Sequence, residues 1–311
     1  MQYVKFDHTD EKVSAIGVGT WKLGKNPKAE LQALRYALSN GVNFIDTAEM
    51  YGTEGLVSSA IEGTDRKSLF IATKVSPHNF HYSDVMRACE ASLSRLGTDY
   101  IDLYQLHWPN HSIPISETMS AMEKLADEGK IKHIGVSNFS VRELQEAQAA
   151  MKEHKIVSDQ VEYSVFVRST EREGLPEYCR KNGIAIIAYS PLARGFISRG
   201  GDSRISEALG SIAKKHRASA AQVALNWLVS KGNVIPIPKA SSPEHMKENV
   251  ASTEFTLDAA DIAEIDGTAN RRRPIGGVFR PLLKKNAAWS RIMTKMNSKN
   301  EKTDGAEIGE K

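Results

Sequence analysis

The chain has 311 residues, of which 41% are hydrophobic and 25% are charged, and its formal net charge at pH 7 is +3. This composition is typical of a globular protein, the small charge does not favour a nucleic-acid partner, and no signal-peptide core or run of 18 apolar residues predicts export or a membrane span. The two cysteines, Cys89 and Cys179, are too few and too distant for a disulfide framework or a zinc site, so we expect free thiols in a reducing, cytoplasmic compartment.

The predicted elements alternate between strand and helix. After a hairpin or coil over residues 1–12, the first half of the chain has strands within 13–21, 43–46, 69–75 and 101–109, and helices within 26–40, 54–62, 83–95 and 115–128. The second half has strands within 132–138, 157–163, 184–191 and 234–239, and helices within 141–154, 170–182, 206–215, 219–231, 243–251 and 258–268. The helices show apolar residues at spacings of three and four. The strands are continuous apolar runs, which favour a parallel sheet covered on both faces.

Eight strand–helix units follow one another with short connections. Such a series forms either a doubly wound sheet or a closed barrel, and eight units within about 250 residues favour the (β/α)8 TIM barrel. No linker divides the series, so we predict a single domain over residues 13–268. Residues 269–311 form a basic C-terminal extension, whose end we predict to be disordered. This extension either contacts an anion or is simply solvated.

A polar or ionisable residue ends most of the predicted strands. The carboxyl ends of all eight strands share one face of a TIM barrel, and active sites lie on that face. The polarity of each of these residues also has a purely structural explanation, because strands end where loops begin and loop residues are commonly polar. Their convergence on one rim predicts a functional site that includes Asp46, Lys74, His107, Ser137, Asn138, Gln160, Tyr189, Ser190 and Lys239.

Four residues near this rim suit the protonation of a carbonyl oxygen. The phenol of Tyr51 can donate a proton, and a nearby ammonium such as Lys74 lowers the pKa of a phenol. Asp46 beside that lysine would keep it charged and in place. A neutral His107 can orient or polarise the carbonyl. No side chain supplies a hydride, so this chemistry requires a cofactor.

The sequence resembles the aldo-keto reductase family from about Val13 to Asp266. The similar motifs are Gly41-Val-Asn-Phe-Ile-Asp46-Thr-Ala-Glu-Met-Tyr51-Gly, Ile71-Ala-Thr-Lys74, Asp102-Leu-Tyr-Gln-Leu-His107-Trp, Gly135-Val-Ser-Asn-Phe139, Gln160-Val-Glu-Tyr163, Ala188-Tyr-Ser-Pro-Leu192, Ile237-Pro-Lys239 and Glu248-Asn249. The resemblance implies an NAD(P)H-dependent oxidoreductase that reduces aldehydes or ketones to alcohols. It makes Tyr51 the general acid, with Asp46, Lys74 and His107 in the roles given above.

The resemblance also implies where the cofactor binds. Ser137, Asn138 and Gln160 would bind the nicotinamide carboxamide, and Tyr189 would stack on the ring. The remaining cofactor contacts would be Gly19, Thr20, Trp21, Ser190, Leu192, Arg194 and Gly195 along the middle of the site, and Lys239, Ser241, Ser242, His245, Glu248 and Asn249 at the adenosine end. The last group also lies after the final strand, where phosphate sites of TIM barrels occur.

Two glycines near the start of the barrel form half of a dinucleotide-binding fingerprint. The pattern Gly17-Val-Gly19 lacks the third glycine and the acidic residue about 20 positions later. We therefore interpret the two glycines as tight loop geometry at the barrel rim.

His245 departs from the family pattern. Many members of the family have an arginine there, which binds the 2′-phosphate of NADPH. Histidine is mostly uncharged above pH about 6.5 and lacks the guanidinium fork, whereas Lys239 still supplies a positive charge. We expect NADPH to be the cofactor, with NADH as a second one.

The substrate is defined only by class. Trp21, Tyr51, Trp108 and Phe139 are expected to form an aromatic rim that suits aldehydes with apolar bodies. One alternative is an NADPH-binding regulatory subunit on the same scaffold with little turnover, as in the potassium-channel β subunits that resemble this family. Another is a metal-dependent hydrolase, for which the sequence shows no ligand cluster beyond the pair His78 and His81. We expect a monomer or weak homo-oligomer without nucleic-acid or membrane partners.

Overall fold

The computed structural model of the protein describes residues 1–6, 8–195 and 203–268. The predicted extension over residues 269–311 lies outside the described residues. At the amino terminus, β1 (Tyr3–Lys5) and β2 (Lys12–Ser14) form an antiparallel hairpin. The predicted first strand over 13–21 is therefore divided, because its first residues pair within this hairpin.

Eight parallel strands form the centre of the fold, and each pairs with the next along the chain. They are β3 (Val18–Gly19), β4 (Phe44–Asp46), β5 (Phe70–Val75), β6 (Ile101–Leu106), β7 (Ile131–Ser137), β8 (Ile156–Glu162), β9 (Ala185–Tyr189) and β10 (Val234–Pro236). This order confirms the predicted series of parallel strands.

Two backbone hydrogen bonds join the first and last of these strands and close the barrel. Gly17 N donates to Pro236 O over 2.9 Å, and Gly19 N donates to Pro238 O over 3.2 Å. A Cβ atom at Gly19 would lie 2.8 Å from the carbonyl oxygen of Ile237, so only glycine allows this approach. The two glycines thus serve the closure of the barrel, with Gly19 inside a strand rather than in a loop.

Helices cover the outside of the sheet. They are α1 (Pro27–Ser39), α2 (Glu54–Ile61), α3 (Tyr82–Leu96), α4 (Ile115–Asp127), α5 (Val141–Ala149), α6 (Ser169–Arg172), α7 (Leu175–Lys181), α8 (Ser203–His216), α9 (Ala220–Val229), α10 (Pro243–Val250) and α11 (Ala259–Gly267). Capping boxes at Ser140, Ser219 and Asp258 satisfy the first backbone N–H groups of α5, α9 and α11. No helix among the described residues is long and apolar enough to cross a membrane.

Two helices are shorter than the sequence predicts. The helix predicted over 170–182 is divided into α6 and α7 at Gly174. The positive φ of this glycine, 73°, interrupts the helix between them. The helix predicted over 141–154 ends at Ala149. Beyond that point, the carboxylate of Glu123 accepts hydrogen bonds from the backbone N–H groups of residues 152–154. This side chain replaces the helical partners of those groups.

The barrel interior is apolar at one end and polar at the other. Phe6, Phe44 and Phe70 pack together at the amino ends of the strands, with the rings of Phe6 and Phe70 5.2 Å apart and those of Phe44 and Phe70 5.4 Å apart. Alternate residues of a strand share a face, so Asp46 faces the same interior as Phe44. Six of the eight strands, β4 to β9, thus place a polar residue at or near the carboxyl end of the barrel.

Candidate active site

The four predicted catalytic residues come together at the carboxyl ends of β4, β5 and β6. Asp46 is the last residue of β4, Lys74 lies near the end of β5, and His107 directly follows β6. Tyr51 ends a 3₁₀ turn over Glu49–Tyr51, which brings its ring back to these strands. The four residues therefore form one cluster.

Lys74 and Asp46 form an ion pair inside the protein. Lys74 Nζ lies 2.6 Å from Asp46 Oδ1 and also donates to Thr47 O over 2.8 Å, and the two side chains are 0% and 2% exposed. Burial lowers the pKa of Lys74, and Asp46 opposes that shift. The carboxylate thus favours the charged form of the lysine, as the sequence predicts.

Tyr51 contacts both the histidine and the lysine. Its hydroxyl lies 3.3 Å from His107 Nε2, and Lys74 Nζ lies 5.0 Å from the centre of its ring. Burial raises the pKa of Tyr51 well above its usual value, and Asp46 and Tyr189 raise it further. Burial disfavours the phenolate and Asp46 lies directly beside the ammonium, so the pKa of Tyr51 stays above its usual value. That Lys74 lowers the pKa of Tyr51 relative to burial alone remains a prediction. At neutral pH the phenol keeps its proton.

His107 is neutral at physiological pH. Burial lowers its pKa well below the usual value, and the charge of Lys74 lowers it further. Its ring meets that of Tyr51 edge-on, with the ring centres 5.4 Å apart. Nδ1 is buried without a hydrogen-bond partner within the described part of the chain. The neutral ring can therefore donate to or accept from an oxygen placed beside the Tyr51 hydroxyl.

A chain of hydrogen bonds links the predicted nicotinamide contacts to one another. Tyr189 donates to Asn138 Oδ1 over 3.0 Å, and Asn138 Nδ2 donates to Ser137 Oγ over 2.9 Å. Ser137 Oγ donates to the backbone oxygen of Gln160 over 2.8 Å. The left-handed backbone of Asn138, with a φ of 65°, turns the chain at the end of β7. The structure thus brings these four residues together.

Gln160 connects this group to the catalytic cluster. Its amide nitrogen donates to Asp46 Oδ2 over 2.7 Å and to Gln105 Oε1 over 3.3 Å. Both amide hydrogens are used in these bonds, so Oε1 remains as its acceptor. This acceptor fits the NH₂ end of a carboxamide, whereas Asn138 Nδ2 already donates to Ser137 Oγ over 2.9 Å and to His107 O over 3.3 Å.

The loop after β9 has an unusual backbone. Ser190, Ala193 and Arg194 have φ values of 50°, 48° and 56° although none is glycine, and Gly195 follows with 80°. Such strained positions are typical of functional sites. Arg194 lies 3.7 Å from Glu162 and its guanidinium lies 5.5 Å from the ring centre of Trp21. Half-buried Leu192 packs against the apolar core beside them.

The first loop of the barrel contacts the same region. The backbone N–H and the hydroxyl of Thr20 both donate to the carbonyl oxygen of Asp46, over 3.0 and 3.1 Å. Trp21 is 36% exposed and contacts Arg194. Gly19 lies in the barrel closure beside them. Of these three residues, Trp21 offers a free surface to a ligand.

The predicted adenosine contacts lie around the start of α10. Ser242 caps this helix and accepts from His245 N, and Lys239 Nζ lies 3.4 Å from Ser241 Oγ. His245 is 74% exposed and lies 3.7 Å from Glu248. Hydroxyls and an ammonium at a helix amino terminus are donors that suit a phosphate. The remaining member, Asn249, is 5% exposed.

The expected aromatic rim is only partly present. Trp21 is exposed and Trp108 is half-buried, as a residue at a site entrance should be. Phe139 is only 4% exposed and packs in the main apolar core. Its expected place on the rim is therefore wrong, because the chain turns at Asn138 and directs the next side chain into the core.

Two polar residues of the site, one buried and one half-buried, were not predicted from the sequence. Gln105 lies in β6 and contacts Asp46 and Gln160. Glu49, two positions before Tyr51, accepts hydrogen bonds from Ser76 N and Asn79 Nδ2. A single glutamine within an apolar strand was the available signal for Gln105, whereas the partners of Glu49 depend on how two loops meet. In the described ranges, no three His, Cys, Asp or Glu side chains form a group able to hold a metal ion.

Comparison with known proteins identifies relatives over most of the chain. Residues 15–270 match the model of the aldo/keto reductase family. The chain is 40% identical over 263 residues to methylglyoxal reductase YeaE of Escherichia coli (strain K12), covering 83% of this chain and 91% of that protein. It is 37% identical over 261 residues to glyoxal reductase of Bacillus subtilis (strain 168), covering 83% and 90%.

A solved structure shows the same similarity. The fold is similar to the crystal structure of an aldo/keto reductase from Klebsiella pneumoniae in complex with NADP and acetate, with a TM-score of 0.79 and 34% identity. The match covers 89% of this chain and 100% of that chain. The similarity thus includes the whole barrel and its site.

Proposed function

Because the chain belongs to the aldo/keto reductase family, we propose that it reduces small aldehydes and ketones to alcohols with NADPH, with Tyr51 as the proton donor. The observation that supports this most directly is the cluster of Tyr51, His107, Lys74 and Asp46. A protonated phenol and a neutral imidazole, 3.3 Å apart, can both contact one carbonyl oxygen. A buried ammonium lies beside the phenol.

Each member of the cluster has a defined part in this reaction. NADPH supplies the hydride when it is bound. Tyr51 keeps its proton until negative charge develops on the substrate oxygen, and then transfers it. Lys74 stabilises the phenolate that this transfer leaves, and Asp46 holds the ammonium in place. Neutral His107 orients the carbonyl oxygen toward Tyr51.

The residues around the site suit the proposed cofactor. The acceptor oxygen of Gln160 fits the NH₂ group of the nicotinamide carboxamide, and Ser137 and Asn138 lie beside it. Lys239, with the hydroxyls at the start of α10, fits the phosphate of NADPH. The Klebsiella pneumoniae relative was crystallised with NADP, which supports the same choice for this chain.

His245 makes the preference for NADPH over NADH weaker than an arginine would. We expect His245→Arg to increase the ratio of kcat/KM for NADPH to that for NADH, because the guanidinium is always charged and can bind a phosphate with two hydrogen bonds. The ratio is measured with one substrate at pH about 7.5. An unchanged ratio would show that this position does not contact the 2′-phosphate. A wild type with a strong preference for NADH would contradict NADPH as the main cofactor.

We propose 2-oxoaldehydes as the first substrates to test. Two relatives are named as methylglyoxal and glyoxal reductases, and both of those compounds are small and carry adjacent carbonyl groups. The exposed ring of Trp21 and the half-buried ring of Trp108 border a site that a small substrate can enter.

The decisive experiment measures NADPH consumption with methylglyoxal and with aromatic, aliphatic and sugar aldehydes. Tyr51→Phe should lower kcat by about 10²–10⁴-fold, the usual effect of removing a general acid. Tyr82→Phe is the matched control, since this tyrosine is 38% exposed and lies outside the cluster. Full activity in Tyr51→Phe would refute the mechanism. NADPH binding without turnover of any carbonyl by the wild type would instead favour a regulatory subunit.

We also propose that the protein resides in the reducing cytoplasm as a monomer or weak homo-oligomer. Cys89 and Cys179 are both free and buried, and burial raises the pKa of each thiol, to about 12 for Cys89. Both thiols are therefore protected from oxidation and disulfide exchange. Cell fractionation and sedimentation of the purified protein test the two statements.

A further inference from the structure

We propose that Gln105 is a positioning residue of the active site, holding Asp46 and Gln160 in their working orientations; this inference rests on the proposed function. Gln105 is fully buried in the barrel interior. Its Nε2 donates to Asp46 Oδ2 over 3.3 Å, and its Oε1 accepts from Gln160 Nε2 over 3.3 Å. Gln160 Nε2 donates to the same Asp46 oxygen over 2.7 Å. The three side chains therefore form a closed ring of hydrogen bonds.

The charge of Asp46 fixes the direction of every bond in this ring. An ionised carboxylate only accepts hydrogen bonds, so both glutamines must turn their NH₂ groups toward it. The carbonyl oxygen of Gln105 is then left to accept the second hydrogen of Gln160. No amide can be reversed without placing two acceptors or two donors face to face. One arrangement is favoured, and in it Gln160 keeps Oε1 for the cofactor.

The barrel is shaped to hold the glutamine. Gln105 lies opposite Lys74 of β5 and Gly135 of β7 in the parallel register. A Cβ atom at Gly135 would lie 3.0 Å from Gln105 Cγ and 2.5 Å from Ser158 Oγ. Glycine at this position therefore leaves the space that the Gln105 side chain occupies. A strand of this apolar character would otherwise fill it with an aliphatic residue.

The ring connects two functions of the site. Asp46 uses Oδ1 for Lys74 and Oδ2 for the two glutamines, so its orientation depends on both sets of bonds. If Gln105 is lost, Asp46 can rotate away from the geometry that holds Lys74 beside Tyr51. Gln160 loses one of its two acceptors at the same time, and its amide becomes free to turn.

Two substitutions test this role. Gln105→Met keeps the length of the side chain and removes both hydrogen bonds, and we expect kcat to fall about tenfold, as for the loss of a hydrogen bond to a charged group. NADPH should also bind several-fold more weakly, measured by fluorescence titration. Ser158→Ala is the matched control, because its hydroxyl is buried in the same interior and has no partner within the described residues. Its activity should stay within twofold of the wild type.

Gln105→Glu gives a readout that a purely structural role would not change. At low pH the introduced carboxyl is protonated, and its O–H can donate to Asp46 as the amide does. As the pH rises it ionises beside Asp46, and two carboxylates repel one another. The other titratable groups around this interior are Lys74, Tyr51 and His107. Of these, Lys74 partly offsets the added charge and His107 stays neutral.

The ratio of kcat for Gln105→Glu to that of the wild type should therefore be near one at pH about 5.5 and fall at least tenfold by pH about 8.5. A kcat of Gln105→Met within twofold of the wild type, or a ratio for Gln105→Glu already tenfold below one at pH about 5.5, would overturn the proposal. If the wild type reduces no carbonyl, the proposed function fails. NADPH dissociation constants of the same variants then decide the role of Gln105, and unchanged binding by Gln105→Met would count against it.

Discussion

Removing one member of the buried Lys74–Asp46 pair should destabilise the protein much more than the pair itself contributes. Both side chains are almost fully buried and 2.6 Å apart. Two unit charges about 4 Å apart attract by about 4 kcal/mol at an effective dielectric constant of about 20. Breaking such a pair by replacing one partner typically costs about 3–5 kcal/mol, because the other charge is left without compensation.

The free-energy cost of Asp46→Asn has an upper limit, because Lys74 can lose its proton. In Asp46→Asn, Lys74 can become neutral instead of staying charged and unpaired. At pH 7 this deprotonation costs about 5 kcal/mol, at 1.36 kcal/mol for each pH unit below the ordinary lysine pKa of about 10.4. The penalty of Asp46→Asn should therefore shrink as the pH rises toward 10. Lys74→Met should show no such relief, because the charge that it strands is a carboxylate.

A double-mutant cycle measures the coupling between the two residues. Urea unfolding at pH 7 is followed for the wild type, Lys74→Met, Asp46→Asn and the double variant. We expect each single substitution to lower the free energy of unfolding by about 3–5 kcal/mol, and the double variant to lose at least about 3 kcal/mol less than the two losses combined. Losses that add to within about 0.5 kcal/mol would show that the ion pair is not coupled, and would refute the reasoning.

Gly19→Ala should lower the free energy of unfolding by about 1–3 kcal/mol, because its Cβ would meet the carbonyl oxygen of Ile237 at 2.8 Å. Gly210→Ala is the control, because Gly210 lies inside α8 with open space around it, and this substitution should raise the free energy of unfolding by about 1 kcal/mol. If chemical unfolding shows the same change in free energy for both substitutions, the closure of the barrel at Gly19 is contradicted. His107 is held neutral by burial and by Lys74, which lower its folded-state pKa. The stability that neutral His107 contributes is therefore full above pH about 6.5 and is lost as the pH falls. The difference in unfolding free energy between the wild type and His107→Gln should shrink from pH about 7 to 5. A constant difference would count against the lowered pKa of His107.

The sequence was sufficient to predict the barrel and the cluster because both depend on order along the chain. Six of the eight strands have a polar residue at or near their carboxyl ends, and a parallel barrel collects those ends whatever the details of packing. The closure at Gly17 and Gly19 was missed for the opposite reason. It depends on how closely the first strand approaches the last, and nothing near those glycines indicates that distance.

The errors at the site arise from burial, which local sequence does not reveal. Burial raises the pKa of Tyr51 well above its usual value, and the residues next to Tyr51 in the sequence do not indicate that burial. Phe139 follows a polar strand end and was placed at the rim, whereas the backbone of Asn138 directs it into the core. Gln105 was passed over because its partners lie on two other strands.

The two-residue period of the strands also sets the environment of the buried ion pair. Phe44 and Asp46 share one face of β4, and Phe70 and Lys74 share one face of β5, so an aromatic layer lies beneath a layer of buried charge. The aromatic layer excludes water from below, which strengthens the interaction of Lys74 with Asp46 and raises the pKa of Tyr51. Replacing both charged residues by apolar ones is often neutral or stabilising for a buried pair. The double variant of the cycle keeps a polar amide at position 46, so it should lose less stability than the two single variants combined without reaching that of the wild type, and it should retain little activity.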